Sequence, residues 1–277
     1  MSAVAVAARE FEFTDRDFET ISAILHHDSG IALPAGKSAL VYSRLGKRLR
    51  ALGLTRFSDY CALVSSAEGG EERAALLSAL TTNVTRFFRE PHHFDTLRQQ
   101  VRDRLAPRAR AGGRVRLWSA GCSLGHEPYS IALTLAAELP EAASLDVRIL
   151  ATDIDPKVIE VARAGRYGRE DVQSVPPALA AGVTTSGAEA VMSPAIRSLI
   201  TFGTLNLHAE WPMKGRFDAI FCRNVAIYFD EPTQKRLWSR FASALQDDGR
   251  LYIGHSERAD TPTLSPDGLT TYRKTAS

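Results

Sequence analysis

The sequence predicts an α/β fold, a Rossmann-like parallel sheet with crossover helices, preceded by an all-helical N-terminal domain. Three observations carry this. Residues 11–80 show helical periodicity and no strand pattern. From residue 115 onward strand-like and helix-like stretches alternate, which is the signature of a parallel sheet. Residues 115–128 read as a strand, a glycine turn and a helix start, the unit that α/β proteins use to hold a nucleotide.

The elements follow in order. Thr14 or Asp15 is placed to cap a first helix that runs to His27, with Gly30 as its stop. A second helix spans Ser38–Leu52, with Leu40, Val41, Leu45, Leu49 and Leu52 as its apolar stripe. Residues 57–65 and 71–80 complete a small bundle with short connections. After Pro91 an amphipathic helix carries Phe94, Leu97, Val101 and Leu105, and Gly112-Gly113 marks a hinge. Residues 115–119 form a buried strand, Gly121 and Gly125 a turn, and Glu127-Pro128 opens an apolar helix to residue 139. A second strand, 147–152, ends in Asp153, and Asp155 is an N-cap for residues 156–164. Residues 169–205 break the rhythm with Pro176-Pro177, Gly182, Gly187 and Pro194 before a strand at 199–202, as an insertion at a sheet edge does. Strands at 217–222 and 250–254 flank a helix at 234–245 that Gly249 is expected to stop. The expected division is therefore 11–80, a linker and helix at 81–113, and 114–277 with 169–205 inserted.

Composition narrows the class. The chain has 277 residues, 44% hydrophobic and 24% charged, the proportions of a soluble globular chain of one or two domains. No apolar run approaches the ~18 residues of a membrane span. Residues 1–9 are alanine-rich without the basic leader of a signal peptide. Cys61, Cys122 and Cys222 stand far apart and fit reduced, cytoplasmic thiols better than a disulfide or zinc framework. The seven histidines give no metal-ligand spacing, so no metal is expected. The net charge of +2 is too small to imply a polyanion partner for the whole chain. Its distribution is uneven: between Asp28 and Asp59 no acid occurs, while Lys37, Arg44, Lys47, Arg48, Arg50 and Arg56 do. Arg44, Lys47 and Arg48 share a helix face. That face is either solvated or docks an acidic helix or nucleic acid.

The glycine turn and Asp153 point to a ligand. Glycines let it approach the backbone, and an acid at the tip of the second strand is where ribose hydroxyls bind. The turn is Gly-x-x-x-Gly rather than Gly-x-Gly-x-x-Gly, and no pyrophosphate cradle accompanies it. A ligand with adenosine and no phosphates is favoured, and S-adenosylmethionine fits. NAD binding and a purely structural turn are the alternatives.

A longer pattern adds to this. Thr81-Thr82-Asn83-Val84-Thr85-Arg86-Phe87-Phe88-Arg89-Glu90-Pro91 resembles the linker signature of the chemotaxis receptor glutamate methyltransferases, the CheR family. Residues 119–130, 151–155, Asn206-Leu207 and 221–229 are similar to the same family, collinear from about residue 14 to 272. The resemblance implies that the insertion is a small antiparallel β subdomain. It also implies methylation of glutamate side chains on the cytoplasmic helices of methyl-accepting chemoreceptors. Arg89 and Tyr228 would then orient the acceptor, and Asn83, Thr85, Arg89, Glu127, Asp153, Asn206, Leu207, Arg223 and Asn224 would hold S-adenosylmethionine. Bland roles compete for several of these. Arg89 suits a helix-entry salt bridge, Tyr228 a core position, Glu127 helix-end stabilisation and Asn206 an ordinary turn. In some members the inserted subdomain captures a receptor tail peptide as an added strand. Here the loop at 183–191 is short, with one glycine and no arginine. Tail capture is therefore not expected, and Arg44, Lys47 and Arg48 are the expected receptor-docking residues.

The chemistry agrees with the residue types. Methyl transfer from a sulfonium is an in-line displacement, and a glutamate carboxylate, with a reference pKa of about 4.3, is already ionised near neutral pH. No general base is required; positioning and desolvation supply the acceleration. A nucleic-acid amino-methyltransferase would carry an Asn/Asp-Pro-Pro-aromatic motif where this chain has Cys222-Arg223-Asn224-Val225. Cytosine methylation would need a Pro-Cys nucleophile, which is absent. A small-molecule methyltransferase would not need the basic helix, and a non-catalytic S-adenosylmethionine sensor would not need Arg89 or Tyr228. The protein is expected to act as a monomer, without nucleic acid and without membrane insertion.

Overall fold

In the computed structural model of the protein, residues 10–275 are described; the leader expectation for residues 1–9 lies outside them. Two compact units meet at the boundary between Thr82 and Asn83.

The first unit is helical. Helix α1, Asp15–Ser29, starts in a capping box: the Thr14 hydroxyl accepts from the Asp17 N–H and the Asp17 carboxylate from the Thr14 N–H. It stops at Gly30, whose φ of 75° favours a residue without a Cβ. Helices α2, Ser38–Leu52, α3, Phe57–Ser65, and α4, Gly70–Leu80, follow. Ile21, Leu25, Val41, Leu45, Leu49, Phe57, Tyr60, Val64 and Leu76 make the core between them.

Two of the three cations expected on a free docking face are committed here. The Arg44 guanidinium donates to the carbonyls of Leu80 at 2.9 Å and Thr81 at 2.7 Å and to the Thr82 hydroxyl at 3.1 Å. It thereby covers the end of α4, where carbonyls lack helical partners. Arg48 donates from Nε and Nη2 to the two oxygens of Glu72 at 2.9 and 2.5 Å. The Tyr60 hydroxyl adds a third hydrogen bond to that carboxylate at 2.9 Å. The shared face is real, but α4 packs on it, and Lys47 is the member left exposed. Arg48→Ala should strand the buried Glu72 carboxylate and cost about 1–3 kcal/mol in urea denaturation; unchanged stability would return Arg48 to the free surface.

The second unit begins with α5, His92–Gln100, continued by a π-helical turn, Val101–Leu105, and by α6, Ala106–Arg110. Strands and helices then alternate: β1, Val115–Ala120; α7, His126–Glu138; β2, Val147–Asp153; α8, Pro156–Ala164. Three short strands, β3, Arg166–Gly168, β4, Val183–Ser186, and β5, Glu189–Met192, form a separate antiparallel sheet in the order β3-β5-β4. Helix α9, Pro194–Ser198, leads into β6, Ile200–Thr204, then β7, Phe217–Cys222, α10, Glu231–Ala244, and β8, Leu245–Ile253. Strands β9, Leu264–Pro266, and β10, Thr271–Lys274, end the chain. The main sheet runs β6-β2-β1-β7-β8-β10-β9; its first five strands are parallel and the last two pair antiparallel.

Period-two alternation sends neighbouring residues of β1 to opposite faces. Leu117 packs with Phe94, Leu97 and Tyr129 on one side, and Trp118 with Trp238 and Phe241 of α10 on the other. The sheet is thus covered on both faces, as parallel strands require.

Three expectations are corrected, and one hairpin was not anticipated. The strand at 200–204 belongs to the main sheet, paired parallel with β2, and the small sheet already begins at Arg166, so the insertion is narrower at one end and earlier at the other than 169–205. Helix α10 starts three residues before Gln234, because the Asp230 carboxylate accepts from the Thr233 N–H as a cap. Gly249 does not stop that helix; it sits inside β8 where the register with β7 slips, and a Cβ there would lie 2.8 Å from the Gln246 carbonyl oxygen. The β9–β10 hairpin escapes a reading based on apolar runs, since its strands are short and polar around a turn at Asp267-Gly268.

Candidate active site

The site lies in the second unit at the carboxyl ends of the parallel strands, where open α/β sheets hold ligands. The turn after β1 folds back on β2: the N–H groups of Gly121 and Cys122 both donate to the Thr152 carbonyl, at 2.8 and 2.9 Å. Asp153 then receives the Ser123 N–H on Oδ2 at 2.8 Å and the Asp155 N–H on Oδ1 at 3.0 Å. Burial lifts the Asp153 carboxyl pKa above the ordinary carboxylate range, against the pull of those N–H groups. Asp155 itself caps α8 through the Lys157 N–H, as the sequence suggests.

These residues fit an adenosine-bearing ligand. A carboxylate accepts about four hydrogen bonds, so Asp153 keeps capacity for two hydroxyls. Gly121 has φ +83°, and a Cβ there would stand 2.4 Å from Val225, so the turn packs as close to the loop after β7 as bare backbone allows. Asn224, at the end of β7, has a buried Oδ1 without a partner among the described residues. From the loop after β6, the Leu205 N–H donates to the Asp153 carbonyl at 2.9 Å, which brings Asn206 and Leu207 beside that strand tip.

The other candidates sort differently. Asn206 folds its own turn, with Oδ1 accepting from the His208 N–H at 2.9 Å. Leu207 is buried, and its carbonyl accepts from Arg240 at 2.7 Å and Trp211 at 3.3 Å. Asn83 Oδ1 accepts from the Ser123 hydroxyl at 3.3 Å, linking the linker to the turn. Thr85 lines a cavity of about 340 Å³ with Leu124, His126, Tyr167 and Asp171.

Glu127 and Arg223 meet each other. Arg223 is 3% exposed in its side chain and lies between two carboxylates: Nη1 is 3.3 Å from Glu127 Oε2 and Nη2 is 3.2 Å from Glu90 Oε2. It also donates to the Arg89 carbonyl, and its guanidinium lies 5.7 Å from the Phe94 ring centre. Ser119 completes the cluster by donating to Glu127 Oε1 at 2.7 Å. The Arg223 guanidinium is therefore spent inside the protein, and any cofactor contact of this residue falls to its backbone. Burial raises the Glu127 pKa while Arg223 opposes it; for Glu90, burial is outweighed by His255 and Arg223 and the net shift is downward.

Arg89 and Tyr228 are the uncommitted pair. The Arg89 guanidinium makes one hydrogen bond among the described residues, to the Val84 carbonyl at 3.4 Å. The Tyr228 hydroxyl has no partner among them, and the ring is half-buried on a short 3-10 turn, Ala226–Tyr228. Sequence reasoning missed Glu90, His255 and Glu257. Glu90 stood in plain view beside Arg89; the other two follow β8 with no local signal.

Asp153→Ala should weaken S-adenosylmethionine binding by about 1–3 kcal/mol, through lost charged hydrogen bonds and a loosened turn. Calorimetry showing wild-type affinity in a folded variant would remove Asp153 from the site.

Residues 83–267 match the family model of the CheR methyltransferase S-adenosylmethionine-binding domain, and residues 16–81 that of the CheR all-alpha domain. A probable chemotaxis protein methyltransferase of Rhizobium etli is 51% identical over 91% of this chain and 97% of its own length. The chemotaxis protein methyltransferases of Klebsiella aerogenes and Escherichia coli are 42% and 41% identical, covering 92% and 88% of this chain and 88% and 85% of their own. No helix among the described residues is long and apolar enough to cross a membrane. With both domain models matched in order over most of its length, the chain belongs to the CheR family of S-adenosylmethionine-dependent chemotaxis methyltransferases.

Proposed function

We propose that the protein esterifies glutamate side chains on the cytoplasmic helices of chemoreceptors, in service of chemotactic adaptation. S-adenosylmethionine, when bound, supplies a methyl group on a positively charged sulfur. The observation that supports the reading is that the fold leaves a guanidinium, Arg89, and a phenol, Tyr228, largely uncommitted among the described residues while it satisfies Arg223, Glu90 and Glu127. A planar guanidinium and a hydroxyl donor match the two oxygens of a carboxylate. That acceptor arrives ionised, so the site needs no proton acceptor for it. Ile227, beside Tyr228 in sequence, is 45% exposed, and Val84, whose carbonyl accepts from Arg89, is 81% exposed, so each residue has an exposed apolar side chain nearby in the chain. The chemotaxis names of the relatives support a receptor as the partner. Of the basic trio, Lys47 is the residue we retain for receptor docking, because Arg44 and Arg48 are held within the helical unit.

The test is transfer of labelled methyl to purified receptor cytoplasmic fragments. Label released by mild base marks an ester; base-stable label, or none, would contradict the proposal. Within that assay Arg89→Ala and Tyr228→Phe should lower kcat by far more than they lower cofactor affinity, the pattern of groups that position the acceptor. A variant with wild-type kcat would take its residue out of the acceptor site.

A further inference from the structure

The two acceptor-facing residues sit on different segments: Arg89 ahead of α5, and Tyr228 on the loop after β7. One short turn after β8 holds both segments. Its ends are joined by the Glu257 N–H, which donates to the Gly254 carbonyl at 2.9 Å. On one side, His255 meets Glu90, the neighbour of Arg89: its backbone N–H donates to Glu90 Oε1 at 3.2 Å and its ring Nδ1 stands 2.8 Å from the same oxygen. On the other side, Glu257 gathers backbone N–H groups from the Tyr228 loop. Oε2 accepts from Gly254 at 2.6 Å and Asn224 at 3.0 Å; Oε1 accepts from Val225 at 2.9 Å and Ile227 at 3.3 Å.

That loop is poorly determined by its own sequence. Asn224 has φ +59°, a left-handed conformation that asparagine adopts more readily than most other side-chain-bearing residues. Its backbone and amide press against Gly254, where a Cβ would lie 2.6 Å from Asn224 Nδ2 and 2.8 Å from its N. Ala226 is buried, but Ile227 is exposed and Tyr228 only half-buried, so packing does little to fix the end that carries the phenol. What the loop has in excess is N–H groups near the protein interior, and such groups need acceptors. Two carboxylate oxygens satisfy three of them, plus that of Gly254.

We propose that Glu257 is a positioning residue for the acceptor step: its carboxylate folds the loop of residues 223–228 so that the Tyr228 hydroxyl stands where the acceptor carboxylate is received. The proposal rests on the glutamate-methyltransferase reading for Tyr228, while the hold of Glu257 on the loop does not. Burial raises the Glu257 pKa, and the N–H groups of Gly254, Asn224 and Ile227 oppose the shift, which is the electrostatic side of the same contacts.

Glu257→Gln replaces one accepting oxygen with an NH2 group that faces N–H groups and accepts nothing. With receptor fragment as acceptor, kcat should fall at least about tenfold, since small misplacement of a positioned group carries losses of that order or greater. S-adenosylmethionine affinity should fall by a clearly smaller factor than kcat, because Asn224 and Val225 share the loop with Tyr228 while Asp153 lies on a different strand tip. Hydrogen exchange of the peptide spanning residues 222–229 should speed up in the variant while that of β1 and β2 stays as in wild type. Glu257→Asp, which keeps both oxygens on a shorter stem, should recover part of the lost kcat. Wild-type turnover in Glu257→Gln, a parallel loss of cofactor affinity and kcat, unchanged exchange at 222–229, or loss of the cooperative melting transition would each overturn the proposal. Should the wild-type protein itself fail to methylate the fragment, the functional reading falls, and the exchange measurement still decides whether Glu257 holds the loop.

Discussion

A single guanidinium, that of Arg223, is wedged between the carboxylates of Glu90 and Glu127 and against the carbonyl of Arg89. The three segments it joins are far apart in sequence: the linker before α5, the first turn of α7 and the end of β7. Removing one member of such a cluster leaves an unpaired charge out of water, which costs several kcal/mol, so the members hold one another in place. Glu90, Glu127 and Arg223 are thus partnered with one another, while the Arg89 guanidinium has one hydrogen bond among the described residues. The cluster also fixes the linker, where Phe88 at φ +50° and Glu90 at φ +56° hold backbone conformations unusual for side-chain-bearing residues.

The turn between β1 and α7 is shaped by backbone groups gathered around one carboxylate. The Asp153 carboxylate, two glycines with positive φ and the carbonyl of Thr152 shape the turn. The small antiparallel sheet contributes as well. The Tyr167 hydroxyl, on β3, donates to the Leu124 carbonyl at 2.8 Å, and a Cβ on Gly125 would meet that hydroxyl at 2.7 Å. An insertion that reads in sequence as an appendage at the sheet edge is thus also a support for the nucleotide turn.

Much of this was legible in the sequence where one local rule decides. The start of α1 at Thr14 or Asp15, the Asp155 cap, the strands of the parallel sheet and the acid closing β2 follow from periodicity and turn chemistry acting over a few residues. What escaped depends on partners distant in the chain. Arg44 and Arg48 look alike on a helical wheel whether they face solvent or α4, and only Glu72 and the end of α4 decide it. Arg223 reads equally well as a ligand-binding cation until Glu90 and Glu127 are seen on either side. Glu257 has no pattern around it; the N–H groups it accepts, apart from that of Gly254, lie thirty or more residues away. The β9–β10 hairpin was lost for another reason: at an edge of the sheet, three- and four-residue strands need no apolar run.

We propose that Asp153 receives the cofactor while Arg223 serves as an internal tie. An experimental structure with bound S-adenosylhomocysteine tests it most directly. The account predicts ribose hydroxyls within hydrogen-bond reach of Asp153, with the Arg223 guanidinium still bridging Glu90 and Glu127. A nucleoside placed away from Asp153, or an Arg223 side chain turned onto the ligand with Glu90 and Glu127 released, would contradict it.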